Sequence, residues 1–504
     1  MNTSVIQLKS GYRYEDIYQF NIVVTKQEIK EIFFTEGNDI KKCSYAATKY
    51  IENNCEKTQI TLCFTTAYNG NVSLRLNTIS GDSIDFIVQQ TLIKKLEAQK
   101  KGSRISTFRS LLKHFTAKTI LFGFYRLTKS SIERLTLRQP LSFDKNCRLI
   151  VDHSLGGGAN QYSKDKYFTS KNLNGIHLLS FNTLVSQYTI SVYKNSKKKN
   201  YFFPNIQSLT KQLRNNQYNE IIINNLVSFP NPEILILYFT YIASTEKATL
   251  NFNVHDYLCI CPKWNLIGIN EEYCNLPKTD ICEKCLTTSN PIYTHYNFSS
   301  SISIWRDMHF MLFTACNEIS VFSLSTMELL KRTYPLLQER SISLVPHKVH
   351  YIRSIRPSAI DTSEIVVGVI GSINEIKGLE VIESLLSTIS TDPQSKIRIV
   401  VIGSALRERP STKIHYTGIY RKEDLPDIVE KEKVNLFLYP SICPETFSYV
   451  AEEMYHMNLP IVLFNIGAPA QRLASYDKAK IVDLSHKYNL APIIEEHFTL
   501  NYLE

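Results

Sequence analysis

Apolar and polar positions follow three successive patterns along the chain. Over residues 1–90 they alternate with a period of two in short runs at 19–25, 28–35, 59–66, 72–78 and 83–88. That period puts the apolar side chains on one face of an extended strand. Asn69-Gly70-Asn71 and Ser80-Gly81-Asp82 supply turn residues between runs, so a small antiparallel β-rich accessory domain is expected. Over 91–145 the pattern becomes helical. Phe108, Leu111, Leu112, Phe115 and then Phe122 fall near helical spacing, with Arg109, Lys113 and Lys118 elsewhere around the helix.

From Cys147 onward, short apolar runs alternate with helical stretches. Strands are expected at 148–152, 176–181, 189–193, 220–223, 249–254, 319–322 and 341–345, and helices at 305–313 and 327–332. A second series, 365–370, 397–402, 413–416, 434–439 and 461–464, ends in a helical tail at 486–504. Strands separated by helices build parallel sheets covered on both faces. The reading is α/β: two Rossmann-like doubly wound domains, 146–350 and 351–504, preceded by the β-rich domain 1–90 and a basic helical linker 91–145.

A length of 504 residues accommodates these units, each with its own core. Hydrophobic residues at 43% and charged residues at 21% describe an ordinary globular composition rather than a disordered or fibrous one. Net charge is +10, but ten Lys or Arg against Glu97 alone lie between Leu92 and Ser130, which carries +9 of it. The remainder is near neutral, which argues against nucleic acid as a partner. The basic segment reads either as a linker helix packed on a neighbouring domain or as an amphipathic helix on an anionic membrane surface. The start, MNTSVIQLKSGYRYED, has no apolar core of a signal peptide, and no run approaches the roughly 18 apolar residues of a span. A cytoplasmic protein with reduced or metal-bound cysteines is therefore expected, with 92–130 as its candidate contact with the inner face of the membrane.

Candidate chemistry concentrates in a few places. Within YPSICPETFSYVAEEMYHMNLPIVLFNIGAPAQR, Glu445 and Glu453 stand eight residues apart, between an expected strand and an expected helix opened by Thr446 or Ser448. Two such acids alone are commonly a solvated face, but here they point into the crevice where open α/β sheets bind ligands. Gly467-Ala468-Pro469 reads as the turn leaving the next strand. Gly156, Gly157 and Gly158 lie between a strand and a helix, where backbone approaches a ligand closely and a helix N-terminus favours negative charge. Lys377, in a similar strand–turn–helix unit with Ser372, is suited to a diphosphate. His255 ends a strand, a position usually filled by a structural histidine; Asp256 follows it. Cys261, Cys274, Cys282 and Cys285, with Cys259, crowd the insertion 259–285. A structural zinc on those four is expected, with buried thiols, a redox pair or an iron–sulfur cluster as alternatives.

The Glu445…Glu453 spacing and the ending GAPAQR resemble the E-x7-E signature of retaining GT-B glycosyltransferases of the group 1, family 4-like kind, in the branch that builds bacterial surface polysaccharides such as O-antigen and capsule. The resemblance covers residues 147–504. It implies transfer of a sugar from a nucleotide-sugar donor to a hydroxyl of a glycan or lipid-linked glycan acceptor, and no metal or other cofactor for catalysis. It implies further that Glu445, His255 and Lys377 serve the transfer. Glu453, Ser372, Thr446, Phe447, Ser448 and the three glycines would hold the donor. Relatives carry an arginine where Ser372 stands. A nucleotide-sugar epimerase of the same fold and a non-catalytic sugar-binding scaffold are the competing readings.

Overall fold

The computed structural model describes residues 6–95 and 147–503 with short breaks, the longest at 66–71, 289–300 and 356–362. The segment 92–130, apart from 93–95, and both readings of it lie outside the described residues.

Eight strands form the N-terminal sheet, in spatial order Ser83–Val88, Val72–Thr78, Ile29–Glu36, Asp39–Glu52, Cys55–Thr65, Ile17–Thr25, Ile6–Tyr14 and Lys94–Lys95. Asp39–Glu52 pairs through its first half with Ile29–Glu36 and through its second with Cys55–Thr65. One set of alternate residues, including Tyr18, Phe20, Ile22, Leu62, Phe64 and Leu74, forms a core of its own. The other set is buried too, although Gln19, Asn21 and Thr61 are polar. They face the helices Pro232–Thr245 and Ile302–Ala315. There Asn21 Nδ2 donates to Asp307 Oδ1 at 2.8 Å and Thr314 Oγ1 donates to Thr61 Oγ1 at 3.0 Å.

The next sheet runs Lys197–Phe203, Gln187–Lys194, Ile176–Asn182, Cys147–Val151, Tyr218–Ile223, Thr249–Asn253, Glu318–Val321 and Ser343–Leu344. Its strands are parallel except for the hairpin at the first edge. The chain leaves Cys147–Val151 towards Ile176–Asn182 and later returns on the other side to Tyr218–Ile223. The crevice therefore opens above the C-terminal end of Cys147–Val151. Pro232–Thr245, unforeseen in the sequence, is apolar all round because this sheet and the N-terminal sheet cover opposite sides of it.

The third sheet is wholly parallel, in order Ile414–Tyr416, Ile397–Ala405, Ile365–Ile373, Leu436–Tyr439, Ile461–Phe464 and Ala479–Val482. Separate cores fill its two faces, which is why its strands read as unbroken Val and Ile runs. Its switch point lies between Ile365–Ile373 and Leu436–Tyr439, and the loops leaving these strands touch. Gly378, with φ of 82°, brings the two together so closely that a Cβ there would lie 2.1 Å from the Pro440 carbonyl oxygen. Two doubly wound domains thus turn their crevices towards one cleft, the GT-B arrangement.

Local departures have simple causes. The helix after Glu445 begins at Tyr449 and ends at Met457, capped by Ser448, whose hydroxyl accepts from the Ala451 N–H. Glu445 therefore lies in the loop three residues ahead of the cap, and only Glu453 is helical. Gly467–Leu473 is a short helix rather than a turn. The tail helix Ala491–Tyr502 buries Ile494 and Phe498 in the core of the second Rossmann-like domain itself, about 1.5–3 kcal/mol for each side chain.

Candidate functional site

The cleft between the two Rossmann-like domains encloses a cavity of about 330 Å³. From the first domain it is lined by His153, Gly156, Gly158, Asn225, His255 and Asp256; from the second by Asn374, Lys377, Glu445, Thr446 and Phe447.

The glycine loop is held open by side chains rather than by packing. Gly156 and Gly157 have φ of 86° and 84° with free space where a Cβ would stand, and a side chain at either would be strained. Asn160 ties the loop down. Its Nδ2 donates to Asp152 Oδ2 at 2.9 Å and to the His153 carbonyl at 2.8 Å, while its Oδ1 accepts from the Gly156 N–H at 2.7 Å. Gly157 caps the helix Gly158–Tyr167, and Gly158 backs onto the Tyr449 ring of the facing domain.

His255 follows the strand Thr249–Asn253. Its ring stacks on Phe322 at 4.2 Å and meets Tyr162 edge-on at 4.9 Å, and its Nε2 lies 3.0 Å from Asn224 Oδ1. Burial, with His347 and His153 nearby, holds its pKa well below the ordinary range, so the ring is neutral at pH 7. A neutral ring facing the Asn224 carbonyl carries its proton on Nε2. Its backbone carbonyl accepts from Thr446 Oγ1 at 2.8 Å, a direct tie between the domains. Asp256 is pushed up to about 6 by burial, although the Leu258 N–H and Asn225 Nδ2 donate to it.

Across the cleft, Lys377 Nζ lies 2.7 Å from Glu445 Oε1. Asn374 caps the turn Glu375–Lys377 and fixes where the lysine departs. Burial opposes the ammonium, but the Glu445 carboxylate, with Cys443 beside it, outweighs this and keeps Lys377 above its ordinary pKa. Ser441 Oγ is 3.4 Å from the same carboxylate oxygen.

The remaining expected residues divide by position. Phe447 lines the cleft and packs on His347, ring centroids 4.5 Å apart. Ser448 is buried, its hydroxyl engaged at the helix cap and by Tyr439 Oη at 3.0 Å. Ser372 is exposed near the end of its strand and does not line the cavity; Asn374 and Ile376 do. Glu453 lies buried one step away, where Tyr351 Oη donates to its Oε1 at 2.5 Å. Burial raises Glu453 to about 7 against the pull of Tyr351 and Lys422. Tyr420 beside it lines a second cavity of about 490 Å³ with Thr417, Arg421 and Asp424.

Sequence reasoning missed Asn225, Asn374, His347, Tyr351 and Tyr449. His347 and Tyr351 belong to the crossover between domains and carry no periodic signal. His347 Nδ1 pairs with Tyr449 Oη at 3.1 Å, a contact between segments 102 residues apart. Cys261, Cys274, Cys282 and Cys285 lie outside the cleft lining. Among the described residues no three or more His, Cys, Asp or Glu side chains are gathered closely enough to hold a metal ion. Among them, too, no helix is long and apolar enough to cross a membrane.

No family model and no curated protein matches the chain. Several solved structures are similar to it. Anabaena HepE in complex with UDP is 13% identical over 71% of this chain and 91% of its own, with a TM-score of 0.44. Sucrose-phosphate synthase from Thermosynechococcus elongatus is 14% identical over 71% and 90%, at 0.45. The lipopolysaccharide outer core galactosyltransferase WaaB, in its apo form, is 11% identical over 71% and 91%, at 0.44.

Proposed function

We propose that the cleft transfers a sugar from a nucleotide-sugar donor to a hydroxyl acceptor, with retention at the anomeric carbon. The acceptor class proposed is a glycan or lipid-linked glycan of a bacterial surface polysaccharide. The observation that carries this reading is the Lys377–Glu445 pair at 2.7 Å, set against the Gly156–Gly158 loop and His255 across one cleft cavity.

Breaking the bond between sugar and diphosphate builds negative charge on the leaving group and positive charge on the ring. Fixed donors near the phosphate lower that barrier without reorganising. Lys377 supplies the cation, held in place by Glu445 and the Asn374-capped turn. Glu445 accepts from sugar hydroxyls through the oxygen that Lys377 leaves free. His255, neutral with its Nε2 proton engaged by Asn224, meets the sugar as a hydrogen-bonding and stacking surface rather than as an acid. Glu453 takes the ribose hydroxyls once Tyr351 moves aside. Both glutamates belong to one domain and one loop–helix unit, unlike the paired carboxylates that flank the bond in glycosidases, so Glu445 is not assigned as a covalent nucleophile.

Two measurements test the proposal. A panel of nucleotides and nucleotide sugars is expected to raise the melting temperature of the chain, since a ligand of the native state stabilises it. Glu445→Ala is expected to abolish transfer while the far-ultraviolet circular dichroism stays unchanged. Unchanged transfer by that variant overturns the assignment.

A further inference from the structure

Three neighbouring strands of the first Rossmann-like sheet, Cys147–Val151, Tyr218–Ile223 and Thr249–Asn253, end at the cleft. The chain leaving each brings one polar side chain to the cavity wall: His153 after the first, Asn225 after the second and Asp256 after the third. Among the described residues, the carboxylates that line this cavity are Asp256 from the first domain and Glu445 from the second. The bond from Thr446 Oγ1 to the His255 carbonyl joins the residues next to them, so the two acids flank one contact between the domains. Glu445 is engaged by Lys377. Asp256 has no Lys or Arg within ion-pairing distance among the described residues, and the mechanism above gives it no task.

Asp256 is held in place with acceptor capacity to spare. Its Oδ1 accepts from the Leu258 N–H at 2.7 Å and its Oδ2 from Asn225 Nδ2 at 2.6 Å. Asn225 is itself fixed, because its Oδ1 accepts from the Val227 N–H at 2.7 Å, and that bond settles which end of the amide meets the carboxylate. An ionised carboxylate has about four acceptor positions. About two therefore remain on Asp256, which is partly exposed and lines the cavity. The histidines nearby are less suited to take a proton. His153 Nδ1 already accepts from the Leu155 N–H at 3.1 Å, so its neutral ring offers only the Nε2 proton. Burial holds His255 well below the ordinary range and His347 down at about 4.

We propose that Asp256 is the base of this cleft: it accepts the hydrogen bond of the acceptor hydroxyl and takes its proton during transfer, while Asn225 is a positioning residue that fixes the carboxylate. The assignment rests on the sugar-transfer reading of the cleft. As the acceptor oxygen bonds the anomeric carbon, its proton passes to Asp256. The bond from that carbon to the diphosphate oxygen breaks, and its electron pair leaves on the diphosphate. Asp256 returns the proton to water once the product departs. Burial raises Asp256 to about 6 against the pull of its two hydrogen bonds, and Asp152 adds to the rise. The ionised form therefore prevails at pH 7, with a proton affinity near the working pH, as general-base catalysis favours. The ionisable groups that face it are Asp152 and His153, its neighbour His255, Cys259 in the turn that follows, and Lys377 and Glu445 across the cavity.

The test uses the full chain, with a panel of UDP- and GDP-sugars as donor probes and octyl glycosides as acceptors. Asp256→Asn is expected to keep the donor-induced rise in melting temperature and to lose about a hundredfold or more in kcat, the scale of a general base. Its acceptor KM is expected to stay within about threefold of the parent value. In the unaltered chain kcat is expected to fall about tenfold for each pH unit below about 6, because the protonated carboxyl takes no further proton. That acid limb is expected to be absent from the residual activity of Asp256→Asn. A kcat of Asp256→Asn equal to that of the parent, a loss carried by the acceptor KM alone, or a kcat of the unaltered chain that stays level from pH 7 to pH 5 overturns the assignment. Where Asp256→Asn does not fold, the pH profile of the unaltered chain decides. Full transfer by Asp256→Asn with none by Glu445→Ala removes this assignment and leaves the transfer reading standing, whereas no transfer by the unaltered chain with any probe overturns both.

Discussion

Lys377 and Glu445 hold each other at the floor of the cleft, so neither can be removed without leaving the other unpaired. Lys377→Ala is expected to lower the transfer rate by a factor of 100 or more, about 3 kcal/mol of transition-state stabilisation, the scale of one lost electrostatic donor. Steady-state rates at saturating donor check this, and a loss confined to KM contradicts it. Glu453 makes a different prediction. Its folded pKa, raised by burial to about 7, stands above the ordinary value of 4.5 for a glutamate. The stability tied to its protonated form is therefore fully present below 4.5 and is lost as pH rises through 7. Glu453→Gln is expected to be more stable than the parent at pH 8, by on the order of 3 kcal/mol relative to the same comparison at pH 4. Urea unfolding at the two pH values measures it, and a difference independent of pH removes the basis for a buried, protonatable Glu453. Lys377 and Glu445 were legible because each lies in the loop after an apolar strand, and Glu453 because it stands eight residues beyond Glu445. Ser372 was singled out in the same way, yet it stands exposed while Asn374, two residues on, caps the turn and reaches the cleft. Which residue of a loop turns inward depends on backbone angles that a motif does not contain.

At the scale of elements, the close approach of Gly378 and Pro440 sets the distance between the loops carrying Lys377 and Glu445. Gly378→Ala adds a methyl group 2.1 Å from a carbonyl oxygen at a left-handed backbone position. It is expected to cost at least about 2 kcal/mol, read as a lower denaturation midpoint, and to weaken donor binding as the loops part. A stability equal to that of the parent excludes the contact. Strands with period-two or unbroken apolar runs were readable from sequence, and so was the Ser448 cap. Pro232–Thr245 was not, because a helix covered on opposite sides carries no polar stripe. Asp39–Glu52 was also missed: its Lys41, Lys42 and Lys49 obscure the alternation.

Across the whole molecule, the three sheets and the cores built on them are joined by a few long-range ties. Thr446 bonds the His255 carbonyl, the segment after His255 buries Ile267 in the core of the second Rossmann-like domain, and Asn21 reaches Asp307. Ile267→Ala is expected to cost about 2–5 kcal/mol and to free the hinge between domains. Small-angle scattering then shows a wider distribution of domain separations; an unchanged profile removes the role of Ile267 in joining the domains. None of these ties could be read from sequence, since each joins segments whose proximity only the folded chain creates. The two doubly wound domains could be read, because strand–helix alternation restricts the topology to a few arrangements.

The most direct test of the central claim is to incubate the purified chain with a nucleotide sugar and a glycan acceptor and to read the anomeric configuration of the product by nuclear magnetic resonance. Release of the nucleoside diphosphate that requires acceptor, with the donor's configuration kept in the product and both lost in Glu445→Ala, is the expected result. Inversion at the anomeric carbon, or isomerisation of the free nucleotide sugar without acceptor, contradicts the account.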